Sequence, residues 1–243
     1  MSVDIGQAVQ EGGKRTIARN GLYLVAIVWV LNVLNGLFGN TIARDVMGEV
    51  PGGGFGAPPM GPTLGLSSGL AGVLSFVVGL VMAVVVAGVI RTFVTDETEA
   101  LPPETFTRNL LWMLVNLVIG GIVFGIVVGI GFVLLVVPGI FLLVSLVFWN
   151  VYVVVEEENF VEGFKRSWDL TGGNRLMLFV LGVVVLIIYA VVGGVFGGVG
   201  GIAGGFVGLA ITQIGAAFAT VFGLATLART YVQLTEGDAA AAE

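Results

Sequence analysis

This chain has few residues to do chemistry with: its 243 residues contain no His and no Cys. That removes the usual near-neutral acid-base group, the commonest metal ligand and the thiolate nucleophile. Carboxylates and amides remain. Glu156, Glu157 and Glu158 stand together with Glu162 just behind, and Asp96, Glu97, Glu99 and Glu104 form a second acidic group. Oxygen ligands of this kind bind divalent cations, but neither group has the spacing of a defined binding loop. Both are expected to be solvated acidic faces, and no metal or cofactor is expected. Asn116, Asn150 and Gln213, with Asn32 and Asn35, are the polar residues inside otherwise apolar stretches. They are candidates to line a path for a polar solute; the alternative is interhelical hydrogen bonding worth about 0.6 kcal/mol per contact. No ionisable side chain stands at mid-depth of these stretches, which disfavours ion-coupled transport. No phosphate-cradling loop, hydrolase elbow or zinc motif is present, so no enzymatic activity is expected, and no basic patch supports a nucleic-acid partner.

The clearest local pattern is Asn159 to Thr171. At 100° per residue Phe160, Val161, Phe164, Ser167, Trp168 and Thr171 share one arc, and Glu162, Lys165, Arg166 and Asp169 take the opposite one. Phe160, Phe164, Lys165, Arg166 and Trp168 therefore mark an amphipathic interfacial helix. It reads either as a lipid-sensing or gating element or as a plain elbow that anchors its loop.

Elements long enough to position these residues follow from hydropathy. The chain is 57% hydrophobic and 11% charged, against about 25% charged in soluble domains. The uncharged stretch Leu110 to Val155 is 46 residues long, enough for two crossings at roughly 20 residues per span. Six spans are expected, at about 20–43, 66–94, 110–135, 138–156, 175–196 and 203–232. A Gly/Pro loop over 44–65 carries Pro51 to Gly54, Pro58-Pro59 and Gly61-Pro62, and an Ala-rich acidic tail covers 236–243. The turn between spans 3 and 4 is expected at Pro138-Gly139, with Pro138 opening span 4; the alternative is a turn at Gly129 to Gly131 with Pro138 kinking span 4. Arg91 is expected to snorkel from the end of span 2 to the interface. The apolar run after Arg19 continues to Gly39, longer than the 7–15 residues of a leader's apolar core, so it is expected to be a span.

The fold class expected is thus an all-α polytopic transmembrane helical bundle of six spans, with a short interfacial helix before span 5. Nine of the ten basic residues fall on one side of it and only Arg44 on the other. The positive-inside rule places that side, with both termini, in the cytoplasm of a cell membrane. The net charge is -6, with 16 acidic and 10 basic residues. An acidic, Lys-poor surface fits high salt, where charge repulsion is screened within about 3 Å at 1 M.

Arg19-Asn20, Arg108-Asn109 and the reversed Asn174-Arg175 precede the odd-numbered spans, and a shift of 155 residues lays Ile5, Val9, Gly13 and Thr16 on Phe160, Phe164, Trp168 and Thr171. This reads as three hairpins, two of them led by an amphipathic segment, or as simple recurrence of Arg and Asn where chains enter membranes. Gly121, Gly125 and Gly129, like Gly193, Gly197, Gly201 and Gly205 and also Gly200, Gly204 and Gly208, recur every fourth residue. Such spacing serves close packing within the bundle, a sliding interface, a protein partner or a homo-oligomer. Membrane lipids are the other expected partner.

Pro138-Gly139-Ile140, Val153-Val154-Val155-Glu156, Gly163, Lys165-Arg166-Ser167-Trp168, Leu170-Thr171 and Gly172-Gly173-Asn174 resemble a pattern in a broad family of prokaryotic membrane proteins. That family resembles the membrane domain attached to some glycerophosphodiester phosphodiesterases and has acidic haloarchaeal versions. Asn150-Val151-Tyr152 stands where family members often carry Pro. No phosphodiesterase domain accompanies the spans, so the resemblance implies a fold and no activity.

Overall fold

The computed structural model of the chain describes residues 3–48 and 61–242, and Pro51 to Gly54 and Pro58-Pro59 of the expected Gly/Pro loop lie outside them. Among the described residues every regular element is helical. A leader helix α1 (Ile5–Ile17) runs into α2 (Arg19–Gly48), which returns as α3 (Ser68–Val94). A single-turn leader α4 (Glu104–Thr107) runs into α5 (Leu110–Leu134), which returns in two pieces, α6 (Val136–Ser145) and α7 (Trp149–Val155). Finally α8 (Phe160–Leu170) leads into α9 (Arg175–Ala203), which returns as α10 (Gly205–Ala242). With α6 and α7 taken together, six of these are long and apolar enough to cross a bilayer.

Boundaries at the end carrying the basic residues fall close to those expected, except that α10 continues to Ala242, past the expected 232 and into the expected tail; at the other end α2 continues to Gly48, past the expected 43, and two turns differ. The turn between spans 3 and 4 is a single extended residue, Leu135 (φ -163, ψ 151), three positions before the expected Pro138. Pro138 sits instead in the first turn of α6, where a missing N–H breaks no bond. The glycines on either side let the two helices touch: a Cβ on Gly131 would lie 2.9 Å from the Cα of Gly139. Span 5 continues to Ala203, well past the expected 196, because a helix is the way an apolar, Gly-rich backbone keeps its own hydrogen bonds in lipid. It reverses at Gly204 (φ +62) and Gly205 (φ +55), a conformation that L side chains avoid.

Span 4 is also broken, where one continuous helix over 138–156 was expected. The Ser145 carbonyl accepts from the hydroxyls of Ser167 (3.1 Å) and Thr171 (3.2 Å), and the Phe148 N–H donates to Ser167 Oγ at 3.1 Å. Hydroxyls from α8 thus replace the intrahelical bonds at the break, one of the recognised ways a helix is interrupted.

The buried core lies toward the basic end. Leu24, Val28, Val89, Phe93 and Val221 join α2, α3 and α10, while Ile90, Met113, Phe148, Val154 and Tyr231 join α3, α5, α7 and α10. Elsewhere large apolar side chains face outward, as Val133 and Ile202 do, which suits a surface solvated by acyl chains.

Each odd-numbered span is led by a short helix laid on the end of an even-numbered span. Phe106 of α4 covers Gly88 of α3, α8 covers the backbone of α7 at Gly163, and α1 covers α10, with Gly12 against Thr226. The first hairpin's leader rests on the last span, so the three hairpins close into a ring. The two longer leaders match in register: Asp4 and Asn159 cap their helices by accepting from Gln7 N and Glu162 N. Ala8, Gly12 and Thr16 of α1 are buried as Gly163, Ser167 and Thr171 are, 155 residues on.

Candidate functional site

The even-numbered spans carry a repeated segment where the leaders rest. Gly88-Val89-Ile90-Arg91-Thr92-Phe93-Val94 in α3 corresponds to Thr226-Leu227-Ala228-Arg229-Thr230-Tyr231-Val232 in α10. Thr92 and Thr230 each donate to the carbonyl four residues back at 2.7 Å, and Phe93 and Tyr231 are both buried. In span 4 the counterpart is Val147-Phe148-Trp149-Asn150-Val151-Tyr152-Val153, with Asn150 where the others have Arg.

Each Arg makes a corner of the ring. Arg91 does not snorkel outward as expected; it is 9% exposed and turns inward. It donates to the carbonyls of Val154 (2.8 Å), Thr105 (3.0 Å) and Arg108 (3.0 Å), tying span 2 to the following leader and to the end of span 4. Carbonyls at helix ends and in connectors lack intrahelical donors, so they offer the guanidinium what interfacial water would. Arg229 binds Glu11 of α1 at 2.6 Å and Asp96 beyond α3 at 3.3 Å, tying span 6 to the leader of span 1 and to the end of span 2. Burial pushes the Glu11 carboxyl up, but the hydrogen bonds from Gln7 and Arg229 outweigh it and hold the group below the ordinary carboxylate value.

The third corner, between spans 4 and 6, is built differently. Asn150 is too short to bridge, and its Oδ1 is buried without a partner. Here α7 meets α10 through aromatic rings, Tyr152 to Tyr231 at 5.4 Å and Phe148 to Tyr231 at 6.1 Å. Arg166 lies over the Tyr152 ring at 4.7 Å and pairs with Glu156 and Glu158, and Glu156 also accepts from the Tyr231 hydroxyl. Burial lowers the Arg166 pKa, and the adjacent Glu156 carboxylate overcomes that, leaving it above the usual value.

The start of span 5 is likewise untied. Asn20 at the start of span 1 donates to Glu97 O at 2.8 Å, and Arg108 before span 3 donates to Val155 O at 3.1 Å, each reaching the end of its own hairpin. Arg175 instead donates back to Trp168 O at 3.1 Å and lies between the rings of Phe141 and Trp168, 4.9 and 4.5 Å from their centroids. At this loose corner a crevice of about 680 Å³ opens between α6, α9 and α10, walled by residues such as Leu143, Val147, Leu181, Leu186, Gly223 and Leu227. That volume falls in the range of small-molecule sites, about 300–1,000 Å³.

The residues singled out in the sequence have separate places. The buried face of α8 is Gly163, Ser167, Leu170 and Thr171, while Val161 and Trp168 of the expected apolar arc remain 46% and 40% exposed. Small residues win the inner face because a Cβ on Gly163 would lie 2.9 Å from Trp149 O. Phe160 and Phe164 flank the contact, with Phe164 5.3 Å from Trp149, and Lys165 pairs with Glu162 on the outside. Asn116 accepts from Phe160 N at 3.0 Å and donates to Trp112 O at 2.9 Å, fastening the start of α8. Gln213 lies beside Gly36 of α2. Asn116, Asn150 and Gln213 are therefore not brought together, and none of them lines the crevice. In the acidic groups Glu157 pairs with Arg108 at 2.7 Å and Asp96, itself 88% exposed, with Arg15 at 2.5 Å, while Glu97, Glu99 and Glu104 are exposed. No cluster of three or more potential metal ligands occurs among the described residues. Of the glycine series, Gly200 and Gly208 pack tightly, whereas Gly121, Gly125, Gly129, Gly193, Gly197 and Gly201 have nothing within 4 Å of a Cβ.

Arg229 is the structural residue that hydropathy reading passed over, and Arg91 is the one whose direction it misread. Their signal is the repeated Arg-Thr-aromatic-Val, at 91–94 and 229–232.

Six apolar crossings, an outward apolar surface and a crevice walled by crossing helices define a multi-pass α-helical membrane protein. Within that class the chain belongs to the family described as Domain of unknown function (DUF7847), whose model matches residues 3–234. No curated protein and no solved structure matches the chain.

Proposed function

We propose that this is a non-enzymatic, lipid-interacting membrane protein whose crevice between spans 4, 5 and 6 takes the apolar chain of a membrane lipid. The observation that carries this reading is the crevice itself: about 680 Å³, walled by Leu, Val, Ile and Phe with Thr220, Thr226, Thr230 and Tyr189 as its few polar residues. Its walls belong to crossing helices, whose solvent is hydrocarbon, so the molecules at hand to fill it are lipid chains. The absence of His and Cys from the sequence and the engagement of the Arg91 guanidinium by backbone carbonyls support a role without catalysis. The likeness of 138–174 to the membrane domain attached to some glycerophosphodiester phosphodiesterases belongs to the same proposal, as a likeness of helices only.

Filling the crevice tests this. A Cβ on Gly182 meets nothing within 4 Å, and one on Gly223 meets only Val185 Cγ1 at 3.8 Å, so Gly182→Phe and Gly223→Phe place rings in the space without a backbone clash. Native mass spectrometry of protein extracted from its own membrane should show a retained lipid in the wild type and its loss in both variants at unchanged folding. Equal retention in all three would refute the reading.

The basic end is proposed to face the cytoplasm, with both termini there. With Leu64→Cys and Glu99→Cys introduced singly, an impermeant thiol reagent outside the cell should label only position 64. The open glycine faces are proposed as contacts for a protein partner or a second copy. The acidic surface is proposed to suit high salt, so the folded protein should be lost on extraction at low salt.

A further inference from the structure

We propose that Arg175 binds the phosphate of an anionic membrane lipid, an inference that rests on the crevice taking that lipid's chain. Arg175 opens span 5 at the end of the bundle that carries the basic residues, where lipid head groups meet a membrane protein. Leu178, Phe179 and Gly182, three, four and seven residues on, share its face of α9, and all three wall the crevice. Across the gap, on α6, the guanidinium lies 4.9 Å from the ring of Phe141, which is next in the chain to the wall residue Ile140. The cation therefore stands between α6 and α9 at the end of the crevice nearest the start of span 5.

Nothing anionic in the protein meets this charge. Arg15, Arg108, Arg166 and Arg229 pair with carboxylates, and Arg91 is held by three carbonyls. Arg175 has no ion pair among the described residues, and of its five N–H donors the Nη2 bond to Trp168 O is the one made. Its Nε is buried without a partner, so a ligand meets the guanidinium through its Nη atoms. Phe141 and Trp168 hold the cation in place by their ring faces, yet stay 41% and 40% exposed, which leaves the site open to the bilayer. A phosphate accepts from the free donors and supplies the missing charge; a neutral head group supplies no charge. With a net charge of -6, the protein as a whole repels anionic lipid, so a preference for an anionic head has to come from a local site such as this one.

The test uses the full chain in nanodiscs of phosphatidylglycerol and phosphatidylcholine in equal parts and with the same chains, and reads retained lipid by native mass spectrometry. Wild type should retain phosphatidylglycerol roughly tenfold over phosphatidylcholine, the worth of one charge-assisted hydrogen bond. Arg175→Gln should bring that ratio close to one while a lipid stays bound. Arg175→Lys, which keeps the charge and loses the fork, should lower it partway and serves if the Gln variant does not fold. Lys165→Gln removes a cation that pairs with Glu162 on the outside of α8 and should leave the ratio unchanged. No preference in the wild type, an unchanged ratio in the Arg175 variants, or an equal drop in Lys165→Gln overturns the head-group site and leaves the crevice standing. Displacement of the retained phosphatidylglycerol by millimolar inorganic phosphate would make a soluble phosphate the ligand and overturn the assignment to lipid. Lipid retained undiminished by Gly182→Phe and Gly223→Phe overturns the chain crevice, and the head-group site with it.

Discussion

Two corners of this molecule are bolted and one is not. Arg91 and Arg229 occupy equivalent places on spans 2 and 6, and each reaches from its own span to a leader helix and to the end of the next even-numbered span. Asn150 holds that place on span 4 and reaches neither; its Oδ1 is buried without a partner, and a crevice opens between α6, α9 and α10. The same three-hairpin frame thus supplies two joints made by an Arg and one made by aromatic contacts together with the Tyr231 hydroxyl on Glu156. In a near-repeated architecture the departure from the repeat is where function is best sought, because stability alone favours completing it.

The largest break in this comparison comes from Arg91→Leu. It leaves the carbonyls of Val154, Thr105 and Arg108 without this donor, and should lower stability by about 3 kcal/mol or more, read as the unfolding midpoint in detergent. Next is Ser167→Ala, which removes both the donor to Ser145 O and the acceptor from Phe148 N at the break in span 4. A loss of about 2 kcal/mol is expected, softened by Thr171, which still donates to Ser145.

How much of this was legible beforehand depends on depth. The six crossings and the basic end follow from charge-free runs such as Leu110 to Val155, since the bilayer imposes length and polarity directly. The break in span 4 was not legible: Ser145 to Phe148 is as apolar as its neighbours, and the hydroxyls that open it come from Ser167 and Thr171, 22 and 26 residues away. The turn at Leu135 was missed for a related reason, since Pro138 tolerates a helix's first turn as readily as it marks a boundary. The amphipathic pattern of 159–171 located α8, but it did not single out the face that packs on α7, where close backbone approach selects Gly163 and Ser167. The polar candidate Asn116 looked alike in sequence to Asn150, and only the fold separates a satisfied amide from an unsatisfied one.

A smaller break is Arg229→Gln, which frees α1 from α10 at the second corner. The pair is partly exposed, so about 1 kcal/mol is expected, read as faster hydrogen exchange in Ile5–Ile17. The same corner has a pH dependence whose sign is fixed by Glu11. Its folded pKa lies below the ordinary value, so its stabilisation is fully present above the unfolded value of about 4.3 and is lost as pH falls through the lower folded one. Protection of α1 against exchange, taken relative to the intrinsic rate at each pH, should therefore fall as pH drops through that window, and in Arg229→Gln it should lose much of this dependence.

The smallest change sharpens the comparison rather than breaking it. Gly121→Ala adds a methyl with nothing within 4 Å, and by helix propensity should be neutral or stabilising by up to about 1 kcal/mol. A loss instead would mean that a second helix covers that face in the membrane.

The most direct measurement of the open corner is photo-crosslinking with a lipid that carries a reactive group midway along its chain, followed by peptide mapping. Labels concentrated on crevice residues such as Leu143, Leu181 and Leu186 are the expected result. Labels spread evenly over the outer surface, with Val133 and Ile202 marked as often as the crevice walls, would contradict the assignment of the third corner to lipid.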